Sequence, residues 1–183
     1  MNYTIKVKPM DTILARPHGW IGRAISWFTN GEFSHAGKIL KFGGRTWVVD
    51  ADPPVVRIMP LSSWLKTYTD AAIYRSVYYL LDEPKWREVE EQAEEFLFPM
   101  IGVREYSEST IARLAVRLPF GAVPEQDEID HDEPVICSRL VSEADMAVIG
   151  IDPCEDRADW ATTPQDLADS EDYLCVCEKL EII

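Results

Sequence analysis

With 183 residues, 46% of them apolar and 10% aromatic, the chain is long enough to bury a core of its own, and wholesale disorder is not expected. Its 32 Asp and Glu outnumber 18 Lys and Arg, and a formal net charge of −14 repels phosphate backbones and sets nucleic acid aside as a partner. No run approaches the ~18 apolar residues that span a bilayer, so no membrane-spanning segment is expected.

The chain opens on Met1-Asn2-Tyr3-Thr4-Ile5-Lys6-Val7-Lys8, an alternating, strand-like stretch without the apolar run of a secretory signal. That start predicts a cytoplasmic protein, unless a phage or a dedicated machine carries it elsewhere, and residues 1–183 read as one domain. Thr12 to Ala15 is a predicted strand, followed by a turn at Arg16-Pro17-His18-Gly19. From Trp20 to Phe28 the apolar spacing is helical, and Asn30-Gly31 ends the helix. His35 to Lys41 and Arg45 to Ala51 form a predicted hairpin across Phe42-Gly43-Gly44. Val55 to Met59 is a third short strand, Leu61 to Lys66 a helical turn, and Ala71 to Tyr79 a strand rich in aromatic and β-branched residues.

The clearest helix is predicted from an Asp82 N-cap, with Trp86, Val89, Ala93, Phe96 and Leu97 on one face and Pro99 at its end. A second spans Thr110 to Leu118. An acidic loop from Pro119 to Glu133 leads to a helix opened by Pro134, with Ile136, Leu140, Val141 and Ala144 as its apolar stripe. A helical turn at Pro164 to Leu167 precedes a closing strand, Tyr173 to Ile182. The predicted class is α+β, with a small antiparallel sheet early and helices packed on it.

Four cysteines crowd into the last third, unlike a disulfide framework, and no Cys-x-x-Cys pair suggests a metal site. Cys175 and Cys177 share one strand face, where buried thiols are usual. Cys137 sits at a predicted helix start, where the helix dipole and unpaired N–H groups favour thiolate and can face an oxyanion. His35 heads a strand and is followed on the same face by Gly37, which leaves room beside the ring. Two hairpin registers are open. A four-residue loop over Lys41 to Gly44 sets His35 opposite Asp50; a two-residue Gly43-Gly44 turn sets it opposite Asp52. Either carboxylate would orient the imidazole. Six carboxylates between Glu125 and Glu133 form a solvated loop that would oppose thiolate and favour cationic ligands, and its His131 is a weaker rival base on no rigid element. The run lacks the glycine and terminal glutamate of an EF-hand loop.

The combination of Asp11-Thr12-Ile13-Leu14, Ser34-His35-Ala36-Gly37, Trp47-Val48-Val49-Asp50, Val56 to Leu61 and Cys137-Ser138-Arg139-Leu140-Val141 resembles the permuted NlpC-type papain-like family. That group includes the YiiX-like bacterial proteins and is related to the lecithin:retinol acyltransferases. The later Thr163-Pro164-Gln165-Asp166-Leu167 is similar to a segment that follows the cysteine helix there, so the resemblance spans about residues 10 to 170. It implies a circularly permuted papain-like fold in which the histidine strand precedes the cysteine helix. It also implies Cys137 as nucleophile, His35 as general base, and Asp50 as the polar third residue on the next strand. By the same resemblance Tyr106 lines the cleft. Two positions depart from the pattern: Met10 stands where a glycine usually precedes Asp11, and Arg139 replaces an acidic residue.

The expected activity is that of a cysteine peptidase or amidase acting on a peptide or a small amide or ester, with no cofactor and no metal. An acyltransferase or thioesterase on the same site, and a binding module without catalysis, are the alternatives. A membrane role is not expected unless Trp20, Ile21, Trp27 and Phe28 form an exposed apolar edge.

Overall fold

The computed structural model describes residues 6–81, 86–117, 134–155 and 161–180. In chain order the elements are β1 (Thr12–Ala15), α1 (Gly19–Thr29), β2 (His35–Phe42), β3 (Arg45–Asp52), β4 (Val55–Pro60), α2 (Leu61–Thr67), β5 (Ala71–Ser76) and α3 (Tyr78–Leu81). They continue with α4 (Trp86–Leu97), a 3-10 turn at Phe98–Met100, α5 (Glu108–Arg117), α6 (Cys137–Ile149), α7 (Pro164–Asp169) and β6 (Tyr173–Cys177). The six strands make one antiparallel sheet in the order β4-β3-β2-β1-β5-β6. The mixed α+β class therefore holds, but the sheet is larger than expected, because the C-terminal β6 completes an edge that the early strands leave open.

Several boundaries move, each for a local reason. The predicted strand over Ala71 to Tyr79 ends at Ser76, whose hydroxyl accepts from the Tyr78 N–H as the chain turns into α3. The α6 helix begins at Cys137 and not at Pro134, because Val135 is held in a parallel bridge to Tyr106 before the helix can start. The closing strand stops at Cys177. The first expected strand shows no strand at residues 6–8; its remainder, the Asp82 cap and the loop with His131 lie outside the described residues.

The sheet buries both faces, and strand alternation assigns every residue to one of them. Leu14, Ala36, Leu40, Val49, Ala51 and Ala72 face α4, α6 and α7. Ile13, Ala15, Ile39, Val48, Ala71 and Ile73 face α2, where Trp64 is fully buried. Each fully buried aliphatic side chain contributes about 1.5–3 kcal/mol, so both layers matter to stability. Helix α6 is unusual in being buried all round from Cys137 to Asp145. Its polar residues are accordingly paired: Ser138 donates to the Thr162 carbonyl at 2.6 Å, Ser142 to Asp152 at 3.1 Å, and Arg139 to Glu143 at 2.7 Å.

Candidate functional site

The β2–β3 turn decides the geometry of the site. Gly43 (φ 58°) and Gly44 (φ 72°) both occupy the left-handed region, which is the requirement of a two-residue type I′ turn. Phe42 pairs with Arg45 and Gly37 with Asp50, so the register extended by two residues sets His35 across from Asp52. The four-residue loop is therefore wrong. The carboxylate that meets the ring is nevertheless Asp50: His35 Nε2 lies 2.7 Å from Asp50 Oδ2. The contact is diagonal, and Gly37 permits it. A Cβ on Gly37 would stand 3.2 Å from the Asp50 Cβ, 3.0 Å from the Val49 carbonyl oxygen and 2.8 Å from Val48. Asp52 instead pairs with Arg57.

Asp50 is fully buried and its oxygens are saturated. Arg57, its direct cross-strand neighbour, donates from Nε at 2.8 Å and from Nη2 at 3.1 Å, and the Trp64 indole donates at 2.8 Å. Burial pushes the Asp50 carboxyl up, but the His35 hydrogen bond and charge, with Arg57 behind them, outweigh it and hold the value at about 2. The imidazole is also stacked, with Tyr68 4.6 Å away at 13° and Trp64 6.2 Å away at 24°. These contacts lock the ring, with Nε2–H donated to the Asp50 carboxylate and Nδ1 on the ring edge away from it.

Cys137 reaches the ring from the other side of the sheet. His35 is the first residue of β2, and α6 ends its N-terminus at that strand end, so the two side chains meet where the sheet stops. Burial lowers the affinity of the ring for its proton; the charge of Cys137, the Asp50 hydrogen bond and a hydrogen bond with Cys137 raise it to about 10. Ile136, the N-cap, makes no side-chain hydrogen bond to the first turn of α6, and Cys137 sits at the positive end of that helix. A cavity of about 20 Å³, room for one methyl group or water, touches Cys137 between Ile25, Thr29, Ile111, Ile136 and Thr162.

Tyr106 is half-buried on the segment after the 3-10 turn. Its hydroxyl is pushed above its usual range by burial and then by the charges of Cys137 and Asp52, which places it on the rim of the same site. Sequence reading missed Arg57, Trp64 and Tyr68. Trp64 and Tyr68 are spaced four apart across the end of α2 and so share a face, a readable signal; nothing in the chain says that this face meets His35.

No protein-family profile matches the chain, and no curated protein resembles it in sequence. Among solved structures it is similar to the crystal structure of the metalloprotein YiiX from Escherichia coli O157:H7, with a TM-score of 0.69 and 14% identity over 96% of this chain and 98% of that one. At that identity the likeness is one of fold. The neighbour is a metalloprotein, whereas among the described residues no three His, Cys, Asp or Glu side chains gather to hold a metal ion. Asp50 spends its oxygens on His35, Arg57 and Trp64, so the residues at this site do not fit a metal, and no step is derived through one.

Proposed function

We propose that the protein is a cysteine hydrolase on a circularly permuted papain-like fold, cleaving an amide or ester bond of a peptide or small molecule through an acyl-enzyme on Cys137. The Cys137 sulfur gives its proton to His35 Nδ1 and attacks the substrate carbonyl carbon. The carbonyl π electrons move to oxygen, where the first amides of α6 stabilise the oxyanion. As the tetrahedral intermediate collapses, the carbon–nitrogen or carbon–oxygen bond breaks and His35 returns its proton to the leaving group. Water, deprotonated by His35, then attacks the thioester and frees the acid and the thiol. Asp50 holds the ring and stabilises the imidazolium. Tyr106 and Tyr68 flank the approach.

The observation that carries this reading is the 2.7 Å His35–Asp50 contact on one ring nitrogen, with the helix-initial Cys137 close enough to raise the affinity of the same ring for its proton. Iodoacetamide labelling, read by mass spectrometry, tests it. Cys137 is expected to react first of the four cysteines and to slow at least tenfold in His35→Ala. Equal labelling of all four, or indifference to His35, would sink the reading.

A second reading has one observation behind it. Trp20 and Trp27 on α1 are 79% and 75% exposed, one face of a helix whose Ile25 and Thr29 line the cavity at Cys137. An acyltransferase or thioesterase taking its substrate from a lipid surface would use such an edge. Co-sedimentation with neutral lipid vesicles, lost in a Trp20→Ser/Trp27→Ser variant, would favour it over hydrolysis of a free peptide. Among the described residues no helix is long and apolar enough to cross a membrane.

A further inference from the structure

One cluster of titratable groups lies in the core away from the reacting atoms. Lys38 points from β2 to the face opposite His35 and is fully buried. Its Nζ lies 2.7 Å from the Asp145 carboxylate and 2.7 Å from Thr12 Oγ1, with the Met10 carbonyl and the Tyr173 hydroxyl each at 3.2 Å. Tyr173 donates its own hydroxyl to Asp145, and Thr12 donates to Tyr173 at 3.1 Å. Asp145 is on α6 and fully buried, so one strand and one helix are joined by this pair.

The same two elements carry Cys137 and His35. Three strand residues separate His35 from Lys38, about 10 Å. Eight helical residues separate Cys137 from Asp145, about 12 Å. The two contacts are thus matched rungs between β2 and α6. Around them the packing is aliphatic: Ala36 lies between the rungs on β2 and shares a buried cluster with Val141, and Leu40 just beyond shares one with Leu140. Aliphatic surfaces tolerate sliding with repacking. A slip of one helical residue moves α6 about 1.5 Å and turns it about 100°, enough to carry the sulfur off the ring. The ion pair forbids that slip, since it would strand two charges in a dry core.

We propose that Lys38 and Asp145, braced by Tyr173, are positioning residues that set the register of α6 on β2 and so hold Cys137 against His35. The proposal rests on the acyl-transfer reading of that pair. Buried ion pairs are weak sources of stability, and their best-attested use is to fix register. The test is therefore a variant that keeps the volume and removes the register: Lys38→Met/Asp145→Leu. It is expected to keep its thermal midpoint within about 5 °C. Cys137 alkylation at pH 7 is expected to fall at least about tenfold, and the His35 imidazole, followed by NMR, to titrate nearer 6.5 than 10. Tyr173→Phe, which deletes only the hydroxyl that Asp145, Lys38 and Thr12 share, is expected to slow alkylation by about threefold with the fold intact. A folded double variant with unchanged alkylation and His35 titration overturns the proposal. So does a double variant that unfolds while Tyr173→Phe alkylates at the unaltered rate, since the pair then serves stability alone. If Cys137 of the unaltered protein labels like an ordinary thiol, the acyl-transfer reading falls, and the register role is judged on the His35 titration alone.

Discussion

At the scale of single residues, Gly37 and Met10 explain the geometry around Asp50 and at the start of β1. Gly37 gives the Asp50 carboxylate a path to the imidazole that the hairpin register alone would not provide. Any Cβ there meets a backbone carbonyl, which cannot rotate away as a flexible side chain would. Gly37→Ala is expected to destabilise the protein by about 1–3 kcal/mol, the usual cost of overpacking, measured as a lowered urea midpoint at unchanged m-value. A variant as stable as the parent would show that the approach is loose. Met10 makes the converse point. It has φ 63°, a conformation that costs a non-glycine residue about 1–2 kcal/mol, and that explains why a glycine would suit the position before Asp11. The side chain is nonetheless fully buried in the α4–α6 layer, and burying a methionine returns about 1.5–3 kcal/mol. The gain outweighs the strain.

At the scale of elements, α6 is buried through its first nine residues and not along one stripe alone. Buried on all sides, it cannot leave a polar group unpaired, and Arg139 finds its partner one turn along. Glu143 receives Arg139 at 2.7 Å and Arg104 Nη2 at 3.0 Å, which ties the segment carrying Tyr106 to α6. Arg139, a departure in sequence, is therefore balanced by Glu143. Glu143→Gln removes a carboxylate that pairs with two buried guanidiniums and is expected to cost about 3–5 kcal/mol. On α4, Arg87 and Glu91 form an i,i+4 pair that is 89% and 65% exposed, and Glu91→Gln is expected to stay within about 0.5 kcal/mol of neutral. Urea unfolding of both variants checks the contrast. Equal effects would mean that the α6 network is as solvated as a surface pair.

At the scale of the whole molecule, the His35–Asp50 pair links stability to pH. Asp50 falls from 3.8 to about 2 on folding, so between those values the unfolded chain binds more protons and stability rises with pH. The contribution is present above pH 3.8 and lost as pH falls through 2, about 2 kcal/mol in all. His35 moves the other way, from 6.5 to about 10, and its contribution is complete below 6.5 and lost as pH rises through 10. The histidine shift is the larger because Cys137 also acts on the ring; the two shifts describe one coupled pair and are not added. Chemical denaturation across pH is expected to show a plateau between about 4 and 6.5. In Asp50→Asn the acid limb should vanish and the alkaline limb shrink, so the difference between parent and variant should rise as pH increases from 2 to about 4. A difference curve that is flat from pH 2 to 5 would mean that Asp50 is not held as a carboxylate by this pair.

What the sequence by itself determined was local: the β2–β3 hairpin, the apolar spacing of α4 and α6, a helix opening within three residues of Cys137, and the α+β class. Alternation and helical periodicity are written in neighbouring residues, so they survive without a third dimension. The candidate residues Cys137, His35 and Asp50 were also legible one at a time, from helix position, strand position and a carboxylate across a turn. Tertiary structure decided how they meet. The two-residue turn gave the register that pointed to Asp52, and the diagonal over Gly37 gave the contact to Asp50, a distinction of sheet twist and missing Cβ that no spacing encodes. Arg57, Trp64 and Tyr68 enclose the site from β4, which pairs with β3, and from the α2 segment packed on that face of the sheet. The Lys38–Asp145 rung spans 107 residues, and its meaning lies in which face of β2 turns toward α6. Long-range contacts are set by the packing of whole surfaces, and the residues that make them carry no local mark of their partners.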